Sequence, residues 1–235
     1  MTTPPMLLAA ALAAVVLAAC TADAPAATPE EQAALVADEL GPDWDAEVVD
    51  DARDGSFVVA NPVEAEVWRI GDSTEAIAAL TADTPWAGFW LPALEQASTD
   101  RSNVRAVVVD ADSLSGEIVS WQVNVNAADP GLDLDPQALA GDLRTRFEDQ
   151  GLEVDQARPV TWEGRDIALV AFEVPAEAFG GQPRYVRQWF ISTDEPAAMW
   201  SVSCDAPADP DGTEELCRTG LDGFRIAEPP ARDRA

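Results

Sequence analysis

From Thr28 onward the chain alternates between stretches where apolar residues recur every three or four positions and stretches where they recur every second one. The first pattern marks helices that bury one stripe, the second strands that bury one face. Thr28-Pro29-Glu30-Glu31 has the form of a helix start. Thr28 is the cap, Pro29 sits where a missing N–H costs nothing, and Glu31 completes a capping box. This helix is predicted to reach about Leu40 and stop at Gly41-Pro42. Asp43 to Asp54 is acidic and weakly patterned. Ser56 to Ala60 and Val63 to Ile70 read as two short strands paired around the turn-forming Asn61-Pro62. A short helix over Asp72 to Thr81 follows, and a second opens at Thr84-Pro85. The second carries Trp86, Phe89, Trp90 and Leu94 on one face, an aromatic stripe read as core packing, and Pro92 kinks it.

From Val104 the period changes to two. Val104 to Asp110 is a nearly continuous apolar run, as an inner strand requires, and Asp110 to Gly116 supplies turn residues. Trp121, Val123 and Val125 then alternate with Gln122, Asn124 and Asn126, giving one buried face and one wet or lightly covered face. Asp135-Pro136 opens the strongest helix, with Leu139, Leu143 and Phe147 on its core side and Gly151 as its stop. Glu153 to Trp162 and Arg165 to Val174 form a hairpin across Glu163-Gly164. A second hairpin pairs Arg184 to Ile191 with Ala198 to Cys204, turning through Asp194-Glu195-Pro196. Thr213 caps a last helix to about Leu221. Hairpins dominate and no βαβ repeat appears, so the predicted fold class is α+β: one antiparallel sheet of about six to seven strands with helices packed on its faces.

The beginning of the chain has a different pattern. Met6 to Ala19 is unbroken apolar sequence ending in Leu17-Ala18-Ala19-Cys20, too short for an ordinary transmembrane helix and shaped like a secretory signal, although no Lys or Arg precedes it. Leu-Ala-Ala-Cys resembles the lipobox of bacterial lipoproteins. That resemblance implies removal of residues 1–19 and lipidation of Cys20, by a diacylglyceryl thioether and an acyl chain such as palmitate on the new amine. Residues 20–27 then form a lipidated tether, 28–228 one α+β domain and 229–235 a loose tail. The expected location is the outer face of the cytoplasmic membrane, reached by export and held through lipid on Cys20.

In an exported chain, Cys204 and Cys217 are expected to be bridged. Cys204 shares its strand face with Trp200 and Val202, and Cys217 shares its helix face with Leu221 and Phe224, so both sulfurs point inward.

Composition narrows the function. Net charge is −29, all of it after residue 19, which repels phosphate backbones and argues against a nucleic-acid partner. The chain has no His and no Lys, all 14 basic side chains being Arg. Ser-His-Asp and Cys-His catalysis, Schiff bases, His-ligated zinc and the Walker lysine are therefore excluded. Carboxylate pairs remain, so a hydrolase of envelope glycans using Asp and Glu is one alternative. Calcium-assisted binding through Asp129, Asp133 and Asp135, or Asp209, Asp211 and Glu214, is another. Neither group has EF-hand spacing and both read as solvated acidic faces. The polar face of Gln122, Asn124 and Asn126 and the Arg184/Arg187 neighbourhood are possible contact surfaces. No catalytic residue, metal site or cofactor is assigned.

From about Trp68 to Ile226, the order of elements resembles actinobacterial lipoproteins of the LpqN type, whose fold is similar to that of PsbP, an extrinsic subunit of photosystem II. The resemblance is carried by Val104 to Asp110, the helix after Asp135-Pro136, the strands around Trp162-Glu163-Gly164-Arg165, Cys204 ending the last strand, and the closing Gly223-Phe224-Arg225-Ile226. It implies a non-enzymatic binding or scaffold module of the cell envelope, with a protein or glycan partner and no catalytic residues to carry over.

Overall fold

A computed structural model describes residues 27–51, 55–63, 65–69, 104–110, 120–127, 133–176, 183–194, 197–207 and 210–227. The predicted leader, Cys20 and most of the tether lie outside these residues. So do the helices over 72–81 and from 84, with their aromatic stripe, and the tail. In chain order the elements are α1 (Pro29–Leu40), β1 (Trp44–Asp51), β2 (Gly55–Pro62), β3 (Ala65–Arg69), β4 (Val104–Asp110), β5 (Ser120–Ala127), α2 (Pro136–Asp149), β6 (Glu153–Trp162), β7 (Arg165–Val174), β8 (Arg184–Asp194), β9 (Ala197–Pro207), α3 (Pro210–Asp222) and β10 (Arg225–Ile226).

The strands form two antiparallel sheets, one of seven in the order β3-β4-β5-β9-β8-β7-β6 and one of three in the order β1-β2-β10. The fold class is α+β as the hairpins imply, but the second sheet corrects the expectation of one. The strands on either side of Asn61-Pro62 do not pair. Instead β2 runs through both residues, with Trp44 opposite Pro62 and Asp45 opposite Asn61, while β3 pairs with β4 in the large sheet. The acidic stretch after Asp43 is β1. Trp44, Ala46 and Val48 pack toward α1 while Val49, on the other face, enters the main core, so the adjacent Val48 and Val49 interrupt the alternation.

Packing follows the alternation of each strand. In β2, Val58 and Ala60 meet Ala33 and Val36 of α1, while Phe57 and Val59 face the large sheet. In β7, Ala168, Val170 and Phe172 meet Leu139, Ala140 and Leu143 of α2, while Ile167 and Leu169 join Phe57 in the other core. The layers are therefore α1, small sheet, large sheet and α2, with α3 beside the small sheet on the same face of the large one. Phe57, Trp162, Trp200 and Phe224 bring four segments into one aromatic cluster, with ring centroids 5.3 to 6.1 Å apart.

The local signals behave as their chemistry requires. Glu31 N–H donates to Thr28 Oγ1 at 3.2 Å and Thr28 N–H to the Glu31 carboxylate at 2.9 Å. Asp135 accepts from the N–H groups of Gln137 and Ala138. At the other end of α2, Leu152 N–H donates to Phe147 O and Gly151 N–H to Glu148 O, a Schellman closure with Gly151 at φ 87°. Glu163 and Gly164 both have positive φ, the form that lets a two-residue turn match strand twist. Arg225 Nε donates to Glu163 Oε1 at 2.8 Å and so helps hold that turn. Two ends differ from expectation. Helix α3 begins at Pro210, making proline at the first turn the stronger start signal and leaving Thr213 inside the helix, and β9 continues past Cys204 to Pro207.

Cys204 and Cys217 are joined, with Cα atoms 5.6 Å apart, and the bridge ties β9 to α3 inside the core. Trp162 Nε1 donates to Leu221 O at 3.1 Å, a carbonyl of the last turn of α3 that also accepts from Phe224 N–H at 3.0 Å. Beyond that turn Gly223 sits against β2, where a Cβ would lie 2.2 Å from Ala60 Cβ.

Three measurements check this packing. Gly223→Ala should lower unfolding stability in urea by about 2 kcal/mol or more, because Ala60 is fixed by the sheet and cannot yield. Reduction of the bridge, closing a separation of 13 residues, should cost about 3 kcal/mol in the same assay. Thiol labelling of the denatured, unreduced protein should find neither Cys204 nor Cys217.

Candidate binding site

The inner strand β8, between β9 and β7, carries the stripe Tyr185, Arg187, Trp189, Ile191 on the face shared with α3. A guanidinium in the middle of such a stripe needs space, and the register provides it. Arg187 lies opposite Ala171 on β7, which is small, and opposite Cys204 on β9. Because Cys204 is bridged to Cys217, α3 is held directly above this row. Glu214, Glu215 and Arg218, which flank Cys217 on α3, then overhang it.

The result is a cavity of about 530 Å³ between the β6 edge of the large sheet and α3. Its floor is apolar, made by Val160, Leu169 and Trp189. Three guanidiniums line it, from Arg158, Arg187 and Arg218, together with Glu214 and Glu215 from α3. Arg187 is buried, its Cζ 4.7 Å from the centroid of Tyr185 and one of its nitrogens 3.9 Å from Glu214 Oε2. The ring contact orients the guanidinium. Arg218 is fixed from two sides: Nε donates to Asp222 Oδ1 at 3.0 Å and Nη2 to Thr161 O at 2.9 Å. Arg158 is exposed and makes one long bond, 3.4 Å to Gln156 Oε1.

Asp155 positions the aromatic partner. The β6–β7 register skips it between Val154 and Gln156, and at this bulge its carboxylate accepts the Tyr185 hydroxyl proton at 2.7 Å. Burial first, and then the Asp155 carboxylate, push the Tyr185 hydroxyl up to about 12.

The sequence-stated candidates fall in different places. Arg184 and Arg187 do not form one neighbourhood, since an odd separation on a strand puts them on opposite faces. Arg184 is a buried structural cation whose Nε donates to Asp205 Oδ1 at 2.7 Å; burial raises the Asp205 carboxyl above its ordinary value against the pull of Arg184. Asp135 is consumed as a helix cap and Asp133 accepts from Asp135 N–H. Asp129 and Asp209 lie outside the described residues, and among those described no cluster of three or more His, Cys, Asp or Glu is placed to hold a metal ion. Gln122 and Asn124 stand opposite Ser203 and Ser201 in the ladder, in the interior of the sheet. Neither Arg158 nor Arg218 was legible as a site residue. The one usable signal was Arg187, a cation interrupting the inward stripe of β8.

These features define an α+β module of two antiparallel sheets with an arginine-lined cavity at one sheet edge. No protein-family model matches the chain, and no curated protein sequence matches it. Among solved structures it is similar to cyanobacterial PsbP of Synechocystis sp. PCC 6803, at 14% identity over 80% of this chain and 95% of that one, with a TM-score of 0.49. It is also similar to LpqN of Mycobacterium tuberculosis, described as involved in cell envelope biogenesis, at 11% identity over 86% of this chain and 100% of that one, with a TM-score of 0.43. Both are of the kinds that the sequence resembles. At identities this low, neither a residue nor a role passes from those proteins to this one.

Tyr185 is the only tyrosine, so its ionisation can be read directly. Tyrosinate absorbance should rise with a midpoint near 12 in the folded protein and near the ordinary 10.0 in denaturant, and Asp155→Asn should move the folded value downward. The folded value is the higher one. The stability that this proton contributes is therefore complete below pH 10.0 and is lost as pH rises to about 12.

Proposed function

We propose that this protein is an exported lipoprotein, held at the outer face of the cytoplasmic membrane by lipid on Cys20, whose folded part is a non-enzymatic binding module of the cell envelope. The observation that carries the address is the apolar run ending in Leu17-Ala18-Ala19-Cys20. The bridge between Cys204 and Cys217 supports it, because such bonds persist in oxidising compartments. Among the described residues, no helix is long and apolar enough to cross a membrane, which is compatible with attachment through a lipid.

Binding without turnover is supported by the chemistry of the cavity. With no His or Lys in the chain, the lining offers guanidiniums, which stay protonated, and two carboxylates on the exposed side of α3. Glu214 and Glu215 are both exposed. The hydrolase reading gains nothing from this arrangement.

Fractionation of cells that make the protein tests the address. The wild type should sit in the membrane fraction at the mass expected for cleavage before Cys20 plus acyl groups. Cys20→Ser should be unacylated and released from it. A wild-type protein that is soluble, unacylated and of full translated length would overturn the proposal.

A further inference from the structure

We propose that the cavity between β6, β8 and α3 binds a free α-amino acid with an apolar side chain, its carboxylate held by Arg158, its ammonium by Glu215 and its side chain lying on Val160, Leu169 and Trp189. The inference names a ligand class for the binding module of the proposed function. It rests on that half of the reading and is independent of the membrane anchor.

Pairing among the lining charges sets the class. Arg218 is engaged by Asp222 and by the Thr161 carbonyl, and Arg187 is buried beside Glu214 and Tyr185. Neither offers a free charge to an occupant. With Asp222 counted beside its partner, the guanidiniums of Arg158, Arg187 and Arg218 meet the carboxylates of Glu214, Glu215 and Asp222, so the cavity carries no net charge. Two lining charges have no counter-ion among the described residues. Arg158 makes a single 3.4 Å bond to the uncharged Gln156, and the Glu215 carboxylate makes no hydrogen bond or ion pair, only its main-chain carbonyl being engaged, by Thr219. One is a cation on the sheet side, the other an anion on the helix side. They form no ion pair with each other, which leaves a place between them for a ligand that bridges both.

A ligand with a net charge of either sign would leave that charge unbalanced in this cavity. A zwitterion supplies one charge to each free group and adds none to the whole. Having no net charge, it also escapes the opposition of the −29 surface. The planar donors of Arg158 match a carboxylate, and the Glu215 oxygens accept from an ammonium. Between these groups the floor is apolar, and the volume, about 530 Å³, lies within the range of small-molecule pockets. One α-carbon that carries a carboxylate, an ammonium and an apolar side chain answers all three surfaces.

The test uses the purified full-length protein in lipid nanodiscs, with empty nanodiscs as control, titrated by ligand-observed NMR with four ligands that share a phenyl body. Phenylalanine carries both charges, phenylpropionate only the negative one, phenethylamine only the positive one and N-acetylphenylalaninamide neither. Phenylalanine should bind saturably and about threefold more tightly than each of the others, the gain expected for one exposed charge pair. Arg158→Gln should remove its advantage over phenethylamine, and Glu215→Gln its advantage over phenylpropionate. Both side chains are exposed, so the melting temperature should stay unchanged in each variant. Absence of saturable phenylalanine binding, equal or tighter binding of any of the other three, a wild-type pattern of preference in either variant, or equal weakening of all four ligands by either substitution would each overturn the proposal. A protein that is acylated and membrane-held yet binds no amino acid sinks this inference and leaves the address standing. One that binds phenylalanine with this selectivity but is never acylated does the reverse.

Discussion

The ring of Phe224 is the point on which the two sheets and α3 depend. It stands 6.1 Å from Phe57 of the small sheet, 6.1 Å from Trp162 at the edge of the large sheet and 5.9 Å from Trp200 on β9. Aromatic pairs of this kind contribute on the order of 1 kcal/mol each beyond the area they bury. Their weight here comes from connectivity, because each ring belongs to a different segment. The flanking residues serve the same junction. Gly223 permits the close approach to Ala60, Arg225 donates to the carbonyls of Asp222 and Phe224 and to Glu163, and Ile226 pairs with Phe57 as the third strand of the small sheet. A four-residue turn thus closes a core that none of the long elements closes alone.

What that junction fixes is the position of α3, and the position of α3 creates the cavity. Three independent ties hold the helix: the Cys204–Cys217 bridge, the Trp162 indole on the Leu221 carbonyl and Arg218 on the Thr161 carbonyl. The first acts mainly by restricting the unfolded chain, the other two by satisfying buried or rim polar groups in the folded one. Since Arg187 and Cys204 face each other across one rung of the ladder, the covalent tie and the buried guanidinium occupy neighbouring places. Stability of the core and shape of the site are set by the same few side chains.

Much of the fold was legible where a local signal and a period agreed. Thr28 with Glu31, Asp135 with Gly151, and Glu163 with Gly164 each combine a capping or turn residue with a change of hydrophobic period, and those boundaries fall where the sequence reading put them. The inward faces of Trp200, Val202 and Cys204 and of Cys217, Leu221 and Phe224 followed from periods of two and of three to four. Legibility failed where pairing is decided by tertiary contact. The β1–β2 pair is a local one whose signal, Asp54-Gly55 between Asp51 and Ser56, was not used, whereas nothing local tells that β2 also pairs with a two-residue strand more than 160 positions later, where Phe57 meets Phe224. The cavity was invisible for the same reason. Arg158, Arg187 and Arg218 are distant in sequence, and only the strand order and the bridge bring them together.

The charges of this acidic chain act on two length scales. Exposed charges separated by more than about 8 Å are largely screened at physiological ionic strength, so most of the −29 surface acts weakly on an occupant of the cavity. Within it, Arg187 is buried beside Tyr185 and Trp189, where screening is poor and a hydrogen-bonded charge pair is stronger. The surface therefore opposes the approach of anions, and the opposition grows with each charge an anion carries. Arg187 is therefore governed by its immediate neighbours, Glu214 and Tyr185, far more than by the net charge of the chain.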